Sequence, residues 1–384
     1  MNFPEATFAT LALLSLALAL WQWLAARRFP LHRRVTDFSF APAITLLKPL
    51  RGCDATTAES LQSWFDQNYP GQIQFLFGVA DADDPACPIV RELIEKNPGR
   101  DAQLVFCAES LGANGKVSTL IQLERLAKHP LILVSDADVR VPPDFLANIA
   151  APLRDPKTGL VNCFYRLANP VTAAMRCEAI AINADFWSQV LQSVSLKPLD
   201  FALGAVMLTR RKLLEDIGGF SALAGCLADD YQLGHRIANK GHHIALCPVV
   251  VECWDAPMNW SDVWKHQLRW ARTIRVCQPL PYFFSILSNA TLWPLLWLLA
   301  SPVLSKTLCA PLAALVLLLM RIVIAQNLQR RFSPAHDNLA PSWLVPVKDL
   351  LQAAVWLGAF LGNTVEWRGQ KMRLRRDGTL VEKK

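Results

Sequence analysis

The chain has 384 residues, 39 Lys and Arg against 32 Asp and Glu, and a formal net charge of +7. Charged residues make up only 18%, below the roughly 25% of an ordinary soluble chain, and 52% of residues are hydrophobic, which excludes intrinsic disorder. With 17 Gly and 25 Pro in no period, a collagen-like or low-complexity chain is excluded too, and a mean hydropathy of +0.23 assigns part of the chain to lipid.

The first apolar run, from Ala6 to Ala26, has the length of a membrane span rather than of a signal-peptide core. Arg27, Arg28, His32, Arg33 and Arg34 follow it and only Glu5 precedes it, so the positive-inside rule puts the next region of the chain in the cytoplasm. Trp21 and Trp23 stand near that edge as interfacial aromatics do. Three zones result: an anchor over 1–34, an α/β region over 35–278, and an apolar region with a basic tail over 279–384.

The middle zone alternates strand and helix. Ile44 to Leu47 reads as a strand closed by Lys48-Pro49, Gln72 to Val79 as a second, Gln103 to Cys107 as a third, and Leu131 to Val134 as a fourth; Val117 to Leu126 has helical spacing. This order predicts βαβ units and a mostly parallel sheet with helices on both faces. Such sheets bind ligands just past their strand ends. There is no G-x-G-x-x-G or Walker sequence, so the usual dinucleotide and P-loop readings lack their residues. Ala173 to Leu196 reads either as an interfacial helix or as a helix packed on the sheet. Ten scattered cysteines, without C-x-x-C or zinc-like spacing, read as small buried apolar residues of a reducing compartment.

The last zone holds two further spans, about 281–303 and 305–325, joined by a tight turn from Ser301-Pro302 to Lys306 and followed by a basic loop, Gln326 to Arg331. A weaker stretch over 341–363 contains Pro341, Pro346, Lys348 and Asp349, all awkward in lipid, and reads as an incomplete crossing that keeps the basic tail inside.

Four groups of residues suit chemistry. Asp136-Ala137-Asp138 ends a strand, and two carboxylates pointing one way offer hard oxygens to Mg²⁺ or Mn²⁺; a turn or helix cap is the plain alternative. Asp81 and Asp83, in Asp81-Ala82-Asp83-Asp84-Pro85, can accept hydrogen bonds from a nucleoside or serve only an ordinary turn. Asp229-Asp230-Tyr231 opens a helix: one Asp is expected to cap it and the other is free to take a proton. Lys265, Arg269, Arg272 and Arg275 recur at helical spacing, either against anionic lipid or to stabilise a leaving diphosphate. Because the basic residues mostly flank apolar segments, no nucleic-acid partner is expected.

In this order these motifs resemble the ceramide glucosyltransferase family and its bacterial, hopanoid-associated relatives. The likeness covers most of residues 40–278. It begins with Leu47-Lys48-Pro49-Leu50-Arg51-Gly52-Cys53-Asp54 and continues through Asp81 to Pro85, Gly112-Ala113-Asn114-Gly115-Lys116, and Asp136 to Val141. Gly204-Ala205, Ile217 to Phe220, Asp229-Asp230-Tyr231 and Arg269-Trp270 complete it.

The resemblance implies a glycosyltransferase A-like, nucleotide-sugar-binding fold with transmembrane helices at both ends. It implies a metal-dependent, inverting transfer of glucose or N-acetylglucosamine from a UDP-sugar to the hydroxyl of a ceramide or hopanoid polyol in the bilayer. Asp81, Asp83, Lys116 and Asp136 would bind the donor, Asp136 and Asp138 the divalent metal, and Asp230 would be the general base. Arg269 and Trp270 match the end of the family's Q/R-x-x-R-W signature, whose first position here is His266, so the role of His266 stays open, as does that of Asp229. The resemblance also implies a multi-pass protein of a bacterial inner membrane with a cytoplasmic catalytic domain. Alternatives are a processive polysaccharide synthase, which would carry more spans, and a membrane scaffold with an inactive transferase-like domain, which would have lost its acidic motifs.

Overall fold

The computed structural model describes residues 3–301, 309–333, 339–367, 370–375 and 377–382. They form two compact units, one of Pro30–Asn169, Lys197–Ala256 and Arg373–Lys384, the other of Met1–Phe29, Pro170–Leu196 and Pro257–Met372. These units do not follow the three zones of the sequence: segments 170–196 and 257–278, inside the expected α/β region, group with the apolar helices.

The first unit is built on an eight-stranded sheet. Its strands are β1 Ile44–Leu50, β2 Ile73–Val79, β3 Asp101–Phe106, β4 Leu131–Ser135, β5 Val139–Arg140, β6 Thr158–Leu167, β7 Val206–Arg210 and β8 His243–Cys253, in the order β3-β2-β1-β4-β7-β6-β8-β5. β3, β2, β1 and β4 run parallel, with Ile44 opposite both Ile73 and Leu131. Every residue of β1, β2 and β4 is buried, as expected of parallel strands covered on both faces. β7 is antiparallel to β4 and β6, and β6 is parallel to β8, so the sheet is mixed. The helix Thr57–Phe65 buries Leu61, Trp64 and Phe65, and Phe65 stacks on Phe75 of β2 with ring centroids 4.8 Å apart.

β1 does not stop at Leu47. It continues through Lys48-Pro49-Leu50 while its pairing to β4 ends at Leu47. Pro49 therefore sits where one side of the strand has no ladder left to break, a position that tolerates its missing N–H.

In the second unit, the helices Phe3–Arg28 and Ala310–Phe332 are long and apolar enough to cross a membrane. The expected span 281–303 is a bent pair, Pro279–Ser288 and Leu292–Ala300, inclined by 55°. The expected turn from Pro302 to Lys306 lies outside the described residues. Gln326 to Arg331 is not a loop, since the helix runs on to Phe332 and Arg331 donates from Nε to the Ala26 carbonyl at 2.7 Å. Segment 173–196 comprises the helix Ala173–Ile180, a π-helical turn Ala181–Phe186 and the helix Trp187–Val194. Its Cys177 and Ile180 pack with Ala325, Ala340, Leu344 and Val345 of this same unit.

The weak stretch 341–363 forms the helix Leu344–Phe360. Its Lys348 and Asp349 are buried in a four-charge cluster with Arg321 and Asp185. Arg321 bonds Asp185 at 2.7 Å and Asp349 at 2.8 Å, and Lys348 bonds Asp349 at 2.6 Å and also pairs with Asp185. Thr291 donates its hydroxyl to Asp349 at 2.6 Å. Two cations thus balance two anions, the condition under which charges persist in an apolar interior.

Candidate active site

Because β2, β1 and β4 are parallel, their carboxyl ends share one edge of the sheet, the edge where open α/β sheets bind ligands. Asp136 follows β4 and is fixed there by its own N–H, which donates to the Ala205 carbonyl at 3.1 Å. Its carboxylate receives Lys116 Nζ at 2.6 Å. Lys116 is placed by the helix Gly115–Glu124, whose N-cap Asn114 accepts from Val117 N at 3.2 Å and donates to the Cys226 carbonyl at 2.8 Å. Gly112 permits this approach, since a Cβ there would lie 2.5 Å from the Ala224 carbonyl oxygen.

The same Lys116 ammonium stands 3.6 Å from Asp229. Burial opposes its charge, but Asp136 and Asp229 outweigh that and hold it protonated well above the ordinary lysine range. The helix Asp229–Asn239 begins at Asp229 itself after Ala228, with no side-chain cap. Neither aspartate occupies the N-cap position, but Asp230 accepts from the first-turn Tyr231 N–H at 2.7 Å and so serves the helix end, while Asp229 pairs with Lys116. Burial, and then the Asp229 charge, push the Asp230 carboxyl up to about 6, against the pull of Lys116.

Asp138 is half-buried, and burial with the Asp136 and Asp255 carboxylates pushes it up to about 7. Asp81 and Asp83 are exposed on the turn after β2, where Asp81 accepts from the Asp83 N–H at 3.0 Å. Their neighbour Asp84 holds the loops together, since its two oxygens take the Gly52 N–H at 3.0 and 2.9 Å and so tie this turn to the loop after β1.

Lys48 is a residue whose chemistry the sequence did not reveal. It is fully buried in β1, donates to the Asp136 carbonyl at 2.5 Å and to Ser135 Oγ at 3.2 Å, and lies 4.7 Å over the Trp64 ring. Burial lowers it to about 7, against the attraction of Asp138 and Asp136. Reading β1 as closed at Leu47 hid it; an apolar run continuing past a lysine was the available signal.

His266, Arg269 and Trp270 lie on the helix Trp260–Cys277 of the second unit. The helix opens with a capping box between Asn259 and Asp262. His266 donates from Nδ1 to Glu178 at 2.7 Å and meets Trp270 edge-on with centroids 4.9 Å apart. Arg269 is half-buried.

Asp136 and Asp138 are hard oxygen donors, and the crowding that makes the Asp138 anion costly is what a cation would relieve. No group of three His, Cys, Asp or Glu side chains stands ready for a metal among the described residues. The pair therefore fits a divalent cation that takes its remaining ligands from elsewhere, as Mg²⁺ does from phosphates and water.

A sheet of this order, with carboxylates at its parallel strand ends, has the glycosyltransferase A-like fold. The structure of mannosyltransferase PcManGT from Pyrobaculum calidifontis in complex with GDP-Man and Mn²⁺ is similar in fold, with a TM-score of 0.55 and 21% identity over 93% of this chain and 99% of that one. The chain belongs to glycosyl transferase family 21, whose model matches residues 7–380. Ceramide glucosyltransferase 3 of Caenorhabditis elegans is 25% identical over 377 residues, 94% of this chain and 79% of that protein. The probable glycosyltransferase YdaM of Bacillus subtilis is 25% identical over 237 residues, 60% of this chain and 55% of that protein. The family expected from the motifs is the family found.

Proposed function

We propose that this protein is an inverting glycosyltransferase that moves glucose or N-acetylglucosamine from a UDP-sugar to a hydroxyl of a membrane lipid, a ceramide or a hopanoid polyol. The observation that carries the reading is Lys116 held between Asp136 and Asp229, with Asp230 next in the chain and raised towards neutrality. Asp81 and Asp83 take the nucleoside and Lys116 the diphosphate. Asp136 and Asp138 would hold a divalent cation, which when bound neutralises charge on the leaving diphosphate. Asp230 removes the acceptor's proton as that oxygen bonds to the anomeric carbon and UDP departs, giving inversion with no enzyme nucleophile. Arg269 and Trp270 take their proposed roles from the family signature, Arg269 as a fixed charge for the diphosphate. We read the chain as multi-pass, in a bacterial inner membrane with the sheet unit cytoplasmic, supported by Arg27, Arg28, Arg33 and Arg34 after the first helix.

The test is mass spectrometry of lipids from membranes expressing the chain, given UDP-glucose and UDP-N-acetylglucosamine, ceramide and hopanoid polyol, and Mg²⁺ plus Mn²⁺. One hexose or one N-acetylhexosamine added to one lipid is the expected result. Intact donor and unchanged lipids in the presence of folded protein would reject the reading.

Gly204 gives a sharper check on the base. A Cβ at this position would lie 2.9 Å from Asp230 Oδ2. Gly204→Ala is expected to displace that carboxylate and to lower kcat/KM roughly 10- to 100-fold at unchanged UDP affinity. Full activity in this variant would argue that Asp230 does not need its present position.

A further inference from the structure

Glu178 is a buried acid that this reaction scheme leaves unused. Its side chain is 1% exposed, and its neighbours Cys177 and Ala179 are buried as well. Oε1 accepts two hydrogen bonds, from His266 Nδ1 at 2.7 Å and from Gln267 Nε2 at 2.8 Å. Oε2 is buried with no hydrogen-bond partner among the described residues. Buried polar atoms are nearly always satisfied, and a carboxylate oxygen that is not carries the whole cost of its lost hydration. One oxygen is thus fixed by two donors while the other waits for a third.

The surroundings narrow the missing donor. Trp270 stands edge-on to His266, and Phe186 lies 5.9 Å from Trp270, so the imidazole that donates to Oε1 packs against an aromatic pair. A nucleotide diphosphate is excluded by charge, being an anion brought to a buried anion. A metal ion would need more oxygen or nitrogen ligands than Glu178 and His266 supply. A neutral donor on an apolar molecule satisfies the oxygen without bringing a second charge into the apolar unit. The helices able to cross a membrane belong to this same unit.

We infer that Glu178 Oε2 receives a hydrogen bond from a hydroxyl or amide N–H at the polar end of the lipid acceptor, with His266 and Gln267 orienting the carboxylate. Glu178 is then a specificity residue for the acceptor. The inference rests on the reading of the protein as a lipid glycosyltransferase. It also gives His266, the position where the chain departs from the family signature, a positioning role.

The test uses the purified full chain in detergent, with radiolabelled hexanoyl ceramide and a radiolabelled hopanoid polyol as probes and UDP binding as the control. Glu178→Gln keeps the shape of the side chain but removes its charge and one acceptor. It is expected to weaken binding of the preferred lipid about tenfold or more, leaving UDP binding unchanged. His266→Gln keeps a donor to Oε1 and is expected to bind the lipid within about threefold of the parent. Without any substitution, the same lipid with its hydroxyls and amide methylated is expected to bind the parent chain at least about tenfold more weakly. Equal binding of parent and Glu178→Gln, or of the lipid and its methylated form, overturns the inference: Oε2 is then served by an ordered water. If the parent binds and glycosylates a lipid in that case, the proposed function stands without it. If the parent binds neither lipid, both fall together.

Discussion

Asp230→Asn is expected to lower kcat about 10³-fold, the middle of the range for losing a general base, while UDP-sugar affinity stays within about threefold. The asparagine preserves size and still faces Gly204, so the loss isolates proton transfer from packing. On the proposed function, the same residue is expected to set an acid limb of the pH profile. Burial and Asp229 hold its carboxyl at about 6 rather than in the usual aspartate range. A base works only when deprotonated, so loss of this group's anion should lower kcat/KM about tenfold per pH unit below about 6. Asp229→Asn removes the charge that helps raise Asp230 and should move this limb to lower pH. Turnover retained by Asp230→Asn, or an acid limb unmoved by Asp229→Asn, would take the base assignment away from this residue.

Arg321→Met is expected to destabilise the apolar unit by about 3–5 kcal/mol, seen as a lower unfolding temperature in detergent. Arg321, Lys348, Asp185 and Asp349 form a balanced set with side chains no more than 12% exposed. Removing Arg321 leaves two buried carboxylates facing one ammonium, and that uncompensated charge is the source of the cost. The double variant Arg321→Met, Asp349→Leu removes one charge of each sign, so it should lose less stability than the single variant. A single variant as stable as the parent, or a double variant worse than it, would show that the cluster does not hold these helices together.

The sequence made the alternating strands legible, because buried parallel strands read as unbroken apolar runs; β1, β2 and β4 are buried at every residue. It also made Asp81 and Asp136 legible, because acids directly after such runs fall at one sheet edge. The mixed half of the sheet was harder. β6 and β8 pair across long stretches of chain with irregular register, which no local pattern announces. Lys48 was hidden because a lysine followed by proline reads as a strand end, and only the lack of a β4 partner beyond Leu47 explains how the strand continues. Lys348 and Asp349 looked unsuited to lipid because their partners, Arg321 and Asp185, are distant in sequence. Glu178 gave no signal at all: an isolated acid in a helix carries no pattern, and what sets it apart is one oxygen without a hydrogen-bond partner among the described residues.

Residues 377–382 return to the sheet unit, where Leu380 N donates to the Gly225 carbonyl at 2.8 Å, Leu227 N donates to the Gly378 carbonyl at 3.2 Å, and Thr379 bridges Cys226. Cys226 in turn accepts from Asn114, the cap that places Lys116, and lies three residues before Asp229. The ribosome therefore completes the surroundings of Cys226 only after both long apolar helices have been made. Synthesis thus imposes an order: both long apolar helices are made before the segment that closes the contacts at Gly225, Cys226 and Leu227, so a nascent chain holds the Asn114 cap on an unfinished support until its last residues are added.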